Sequence, residues 1–149
     1  MLKRVGIIGA GISGLTSGYA LREQGLEVDL YERSGSINEF GAGITLSKNA
    51  TSLLRDLALF DSIAANGTFP GKSYIRDYKN CDVINSMELD DNFLTVDRRD
   101  LVDQIALRLQ DIKGNIHFDK EVTSICPSTG IISFSNHQDE SYDLILVCD

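Results

Sequence analysis

The chain has 149 residues, 42% of them apolar and 24% charged, with 13 Gly and 2 Pro. That is about one globular domain of material, and it excludes a disordered tail, a collagen-like repeat and a disulfide mini-scaffold. Lys and Arg total 14 against 22 Asp and Glu, a formal charge of −8, so the chain lacks the basic footprint that a nucleic-acid backbone requires.

Lys3–Ile8 is a short apolar run that breaks into glycines, the pattern of a buried parallel strand. From Ile12 the spacing changes. Ile12, Leu15, Tyr19 and Ala20 recur at helical intervals to about Gln24, where Gly25 supplies the stop. Glu27–Glu32 then alternates with period two and ends in a carboxylate. Strand, helix and strand within about 30 residues predict a right-handed βαβ unit.

Arg33–Leu46 reads as irregular. A helix is predicted from about Lys48 to Leu57, with Leu53, Leu54 and Leu57 on its buried side, and a short helical turn over Phe60–Ala64. Ser73–Tyr78 and Val83–Met87 read as two arms of a hairpin. Arg98–Gln110 is the clearest second helix: Leu101, Val102, Ile105 and Leu109 form one stripe, and Asp97 is placed to cap it. Asn115–Phe118 is a strand candidate. Lys120–Cys126 and Ile131–Ser135 form another hairpin, with Pro127 and Gly130 at its turn. Asp143–Cys148 is almost continuously apolar, which predicts a strand buried on both faces. The sum is an α/β fold.

The N-terminal uncharged run is interrupted by Gly6, Gly9, Gly11, Gly14 and Gly18, so it reads as structure and not as a signal peptide or membrane span. Cys81, Cys126 and Cys148 form no CxxC pair, which points to reduced thiols in a cytoplasmic compartment. His117 and His137 read as structural or solvated, and Glu88-Leu89-Asp90-Asp91 as an exposed turn without the alternating ligands of a metal loop.

Gly9-Ala10-Gly11-Ile12-Ser13-Gly14 is GxGxxG at the junction of a strand and a helix. There Gly9 turns the chain, Gly11 lets a pyrophosphate approach the main chain, and Gly14 lets the helix sit close to the sheet. The helix start aims unpaired N–H groups and the positive end of its dipole at an anion. Residues 1–36 hold four acids and four bases, so the acidic excess falls downstream and leaves this segment free to receive one. Glu32, 18 residues after Gly14, is placed to accept hydrogen bonds from both ribose hydroxyls and would repel a 2′-phosphate. Arg98 and Arg99 open a predicted helix, where cations oppose the dipole, and a broken local rule of this kind marks a candidate site.

GxGxxG, Glu32-Arg33, Gly41-Ala42-Gly43-Ile44 with Ser47-Lys48-Asn49-Ala50, Val96-Asp97-Arg98-Arg99-Asp100-Leu101, and Asp143 through Asp149 occur in this order. The series resembles the FAD-dependent aromatic hydroxylase family, the single-component flavin monooxygenases of the p-hydroxybenzoate hydroxylase type, which include ubiquinone-biosynthesis and salicylate hydroxylases. The resemblance runs through the whole chain. It implies a Rossmann-like FAD-binding domain with a parallel sheet and inserted antiparallel hairpins over residues 1–149, the N-terminal part of a longer enzyme.

Carried over by position, the resemblance gives Gly9, Gly11, Ser13 and Gly14 to the pyrophosphate, Glu32 to the ribose and Arg33 to the adenine. Gly41–Ile44, with Gly43, would pass near the isoalloxazine. Arg98 would reach the flavin, the Val122 backbone would meet the adenine edge, and Asp149 would be the acid of the family's second FAD motif. Departures are Asp97 in place of His, Lys48 where Pro is common, and Val147-Cys148 in place of Gly-Ala. The implied reaction is hydroxylation of a small aromatic-type substrate by FAD, through a flavin C4a-hydroperoxide, with NAD(P)H as transient reductant. An NAD-dependent dehydrogenase and a non-catalytic dinucleotide-binding module share the cradle and stand as alternatives.

Overall fold

The computed structural model describes residues 2–37 and 42–148. The chain divides into two compact units, Met1–Phe40 with Leu101–Asp149, and Gly41–Asp100.

In the first unit, β1 (Arg4–Ile8), α1 (Ile12–Glu23) and β2 (Glu27–Tyr31) form the expected βαβ crossover. The second unit follows with β3 (Gly43–Leu46), α2 (Lys48–Asp56), α3 (Phe60–Ala64), β4 (Lys72–Arg76), β5 (Val83–Glu88) and β6 (Leu94–Asp97). Helix α4 (Arg98–Asp111) leads back to the first unit and to β7 (Asn115–His117), β8 (Val122–Cys126), β9 (Ile131–Phe134), β10 (Glu140–Ser141) and β11 (Leu144–Val147).

The first unit is built on a parallel sheet in the order β11-β1-β2-β7, with Ile7 opposite both Leu30 and Leu146. Alternate residues of β1 serve opposite layers, as strand geometry dictates. Ile7 faces α1: a Cβ built on Gly18 would lie 3.5 Å from Ile7 and 3.3 Å from Leu109 of α4. Gly6 faces the other way, beneath Tyr142 and Ile132, where a Cβ would come within 2.7 Å of the Tyr142 ring. Helices therefore cover one face of the sheet, and the antiparallel sheet β10-β9-β8 covers the other. Val5, Ile7, Leu15, Leu30, Val102, Ile105 and Leu109 are fully buried, each such side chain contributing on the order of 1.5–3 kcal/mol. A second cluster, Tyr31, Ile132, Phe134 and Tyr142, lies under the antiparallel layer.

Asp97 caps α4 as expected: its Oδ1 accepts the Arg99 N–H at 2.8 Å. Three expectations are corrected. Arg33–Leu46 is not wholly irregular, because Gly43–Leu46 forms β3 and pairs antiparallel with β6. On α2 the buried residues are Thr51 and Leu54, whereas Leu53 is 50% exposed. Thr51 can be buried because its hydroxyl donates to the Asn92 carbonyl at 2.9 Å, which removes the cost of an unsatisfied polar group. Lastly, β11 is an edge strand and Val147 is 65% exposed, so its apolar run is not buried on both faces.

Candidate functional site

The site grows from the carboxyl end of β1. After Ile8 the chain must reverse direction to enter α1, and Gly9 does so with φ +98°, a conformation that L side chains rarely adopt. Its N–H donates to the Tyr31 carbonyl at 2.8 Å, which ties the turn to β2. Gly14 meets this turn from the first coil of α1, where a Cβ would lie 1.9 Å from the Gly9 carbonyl oxygen. Only glycine fits there.

Gly11 is the N-cap of α1, and a Cβ built on it would find nothing within 4 Å. No side chain caps this helix start, and its first turn holds no acidic residue. Among the described residues, then, no side chain lies over Gly11 at the end of α1 where the unpaired amides and the positive end of the helix dipole gather. Ser13, the second helical residue, is exposed.

Glu32 follows directly on β2. One carboxylate oxygen accepts the Ala10 N–H at 3.0 Å and the other accepts the Ser34 N–H at 2.9 Å. Partial burial pushes its pKa up, but the hydrogen bonds from Ser34 and Ala10 outweigh it and hold the carboxyl below its usual range. The group is thus a carboxylate at neutral pH, and with the Ser34 side chain also bonded to it three of its acceptor positions are engaged.

Beside it lies a recess of about 120 Å³, lined by residues that include Gly9, Tyr31, Glu32, Arg33, Lys120 and Val122. Four residues singled out in sequence, Gly9, Glu32, Arg33 and Val122, meet here although Val122 is 89 positions beyond Arg33 in the chain. Their convergence follows from the ladder: Glu32 N–H donates to the His117 carbonyl, and Lys120 N–H donates to the Glu32 carbonyl, both at 2.9 Å. Lys120 and Glu121 also line this recess and were not anticipated. Neither carries a local motif; only their adjacency to Val122 could have pointed to them.

Gly43 and Arg98 belong to the second unit, where they are neighbours. Gly43 pairs with Asp97, and the Arg98 N–H donates to the Ala42 carbonyl at 3.2 Å. A Cβ on Gly43 would meet only ordinary contacts, at 3.9 Å or beyond, so packing does not require glycine there. Arg98 and Arg99 are both exposed. Asp149 and Gly41 lie outside the described residues.

The family model for an NAD(P)-binding Rossmann-like domain matches residues 7–38. The chain is 30% identical over 105 residues to 6-hydroxynicotinate 3-monooxygenase of Pseudomonas fluorescens, a match covering 65% of this chain and 27% of that protein. It is 26% identical over 153 residues to the FAD-dependent monooxygenase OpS4 of Beauveria bassiana, covering 96% of this chain and 36% of the other. Among solved structures, the tetrameric form of 2-methyl-3-hydroxypyridine-5-carboxylic acid oxygenase matches with a TM-score of 0.89 at 23% identity, over 97% of this chain and 38% of that one. The fold is accordingly Rossmann-like α/β. In sequence the chain is similar to FAD-dependent aromatic monooxygenases, and it spans well under half the length of the relatives it matches.

Proposed function

We propose that this chain forms the FAD-binding part of a flavin-dependent monooxygenase that hydroxylates a small aromatic or related substrate, with NAD(P)H as transient reductant. The observation that carries the reading is the recess where Glu32, Arg33 and Val122 meet, beside a helix start with open space over Gly11.

The residues present fit the cofactor. An anion approaching over Gly11 meets no side chain among the described residues, and it faces no carboxylate in the first turn of α1. Bound FAD would supply the redox and oxygen chemistry. The chain would supply position. The amides at the start of α1 would donate to the pyrophosphate, and Glu32 would accept from the ribose hydroxyls while repelling a 2′-phosphate. Arg33 would lie along the adenine and the Val122 backbone at its edge. Gly43, Arg98 and Asp149 are assigned to the cofactor by the sequence resemblance alone. Three free cysteines fit a reducing, cytoplasmic compartment. No helix among the described residues is long and apolar enough to cross a membrane.

The test is direct. Incubated with FAD and desalted, the protein should keep the flavin absorption bands and quench flavin fluorescence, and Gly11→Val should lose both. A wild-type protein that stays colourless rejects the reading, and one that retains NAD in preference to FAD favours a dehydrogenase.

A further inference from the structure

We propose that Glu32 is the positioning residue of the glycine loop as well as an acceptor for the sugar: its carboxylate is a fixed strut between the tip of β2 and Ala10. The ligand half of this proposal rests on the reading above; the strut itself does not.

Glu32 has little freedom to do otherwise. Its N–H is bound to the His117 carbonyl, its own carbonyl accepts the Lys120 N–H, and one carboxylate oxygen is held by the Ser34 N–H, each at 2.9 Å. The remaining oxygen is thereby brought to the Ala10 N–H at 3.0 Å. Ala10 is only 4% exposed, and a buried amide must find a partner. The loop is therefore pinned to β2 by two successive bonds. The first, Gly9 N–H to the Tyr31 carbonyl, is main chain to main chain and survives most substitutions. The second depends on the Glu32 side chain. The next residue along is Gly11, where the open space begins.

A carboxylate oxygen has two acceptor positions. Each oxygen of Glu32 spends one on a backbone N–H and the Ser34 side chain takes a third, which leaves one open for a ribose hydroxyl and a second once the Ser34 hydroxyl turns away. The same group can grip the sugar without releasing the loop. Glutamine keeps the length but not the chemistry, because its NH₂ must face either the Ala10 or the Ser34 N–H, donor against donor.

The decisive probe is an anion without a sugar. Wild-type protein and Glu32→Gln are titrated with inorganic pyrophosphate and with ADP, following the backbone amides of residues 9–15 by NMR. Binding of ADP should weaken about tenfold or more and that of pyrophosphate about threefold or more in the variant. If Glu32 serves the ribose alone, removing its negative charge leaves pyrophosphate binding unchanged or tighter, and that result overturns the proposal. A second measurement needs neither variant nor ligand. From pH 7 to pH 3, the Ala10 and Ser34 amide resonances of the wild type should shift together with one midpoint. An Ala10 amide that does not follow Ser34 overturns the strut. Wild-type protein that binds neither ADP nor FAD removes the proposed function, while the amide titration still decides the role of Glu32.

Discussion

Two carboxylates on or just beyond β2 sit in different circumstances: Asp29, midway along the strand, is bonded toward the amino ends of β1 and β7 through Arg4 and Asn115, and Glu32 follows the strand's carboxyl end. Asp29 is enclosed by side chains. It accepts from Asn115 Nδ2 at 2.9 Å and from the Tyr142 hydroxyl at 3.1 Å, faces His117 Nε2 at 3.1 Å, and pairs with Arg4 at 3.5 Å. The Tyr142 hydroxyl also meets that of Tyr31, and Arg4 reaches on to Glu140 of β10. This end is a closed polar network that staples the antiparallel layer to the parallel sheet. Glu32 is held instead by the Ala10 and Ser34 amides and the Ser34 side chain, and each acid borders a recess, of about 210 Å³ at Asp29 and about 120 Å³ at Glu32. Both acids ionise more easily than usual. For each, burial opposes ionisation but is outweighed by hydrogen bonds, from Asn115, His117 and Tyr142 at Asp29 and from Ser34 and Ala10 at Glu32. Neither a depressed pKa nor a bordering recess therefore singles out a site; what sets Glu32 apart is that its carboxylate holds an amide of the glycine loop, next to the helix start, whereas Asp29 is taken up by Arg4, Asn115, His117 and Tyr142.

The most severe way to break the contrast is Gly14→Ala. A methyl 1.9 Å from the Gly9 carbonyl oxygen forces α1 off the sheet, at a cost of about 3 kcal/mol or more, and deforms the cradle with it. Thermal melting should drop by roughly 6–12 °C, and FAD retention should vanish. Asp29→Ala comes next. It orphans His117, Asn115 and part of the Arg4 and Tyr142 pairing, and should cost about 2–3 kcal/mol in urea unfolding. Because Asp29 lies at the closed end, ADP affinity of the folded variant should stay within about twofold of wild type. A larger loss would mean that the two ends are coupled.

Much of the open end was legible in sequence. The change from period two to helical spacing around GxGxxG identifies the βαβ unit, and the carboxylate ending Glu27–Glu32 marks the tip of the second strand. The closed end was not. Asp29, His117 and Tyr142 are brought together by parallel pairing of β2 with β7 and by the fold-back of β9 and β10, contacts between residues 88 to 113 positions apart. The same limit hid the pairing of β3 with β6, since four residues from Gly43 to Leu46 carry too little periodicity without their distant partner. Thr51 outranked Leu53 as a core residue because a hydrogen bond to Asn92, outside the helix, made its burial possible. The bond from Ala10 to Glu32 belongs to this class too: a motif gives residue types, but not which amide a carboxylate will hold.

Acid should separate the two carboxylates by function and not by stability. Each has a folded pKa below its ordinary value. Each therefore contributes stability that is fully present above that value and is lost as pH falls through the folded one, from about pH 4 downward. Unfolding free energy should fall over this window, with a shallower slope in Asp29→Asn and in Glu32→Gln. Affinity for ADP should fall over the same window where Glu32 is intact, including in Asp29→Asn, and should be flat in Glu32→Gln. A flat profile in the wild type would mean that the Glu32 charge is irrelevant to the ligand.

The smallest expected effect sharpens the contrast from the opposite direction, by strengthening the closed end alone. Helix α4 ends in a pair of reversed bonds, Gly114 N–H to the Leu109 carbonyl and Lys113 N–H to the Gln110 carbonyl, both at 2.9 Å. This arrangement places the residue after the C-cap in the left-handed region, where glycine is preferred. Lys113 occupies it with φ +62°. The strain is retained two residues before Asn115, which β7 delivers to Asp29. Lys113→Gly should relieve it and stabilise the fold by about 0.5–1 kcal/mol, net of the extra backbone freedom that glycine brings to the unfolded chain. Since the turn lies at the amino end of the sheet, FAD and ADP affinities should not move. If they rise with stability, the cradle is limited by the rigidity of the whole sheet and not by the local grip of Glu32 on Ala10.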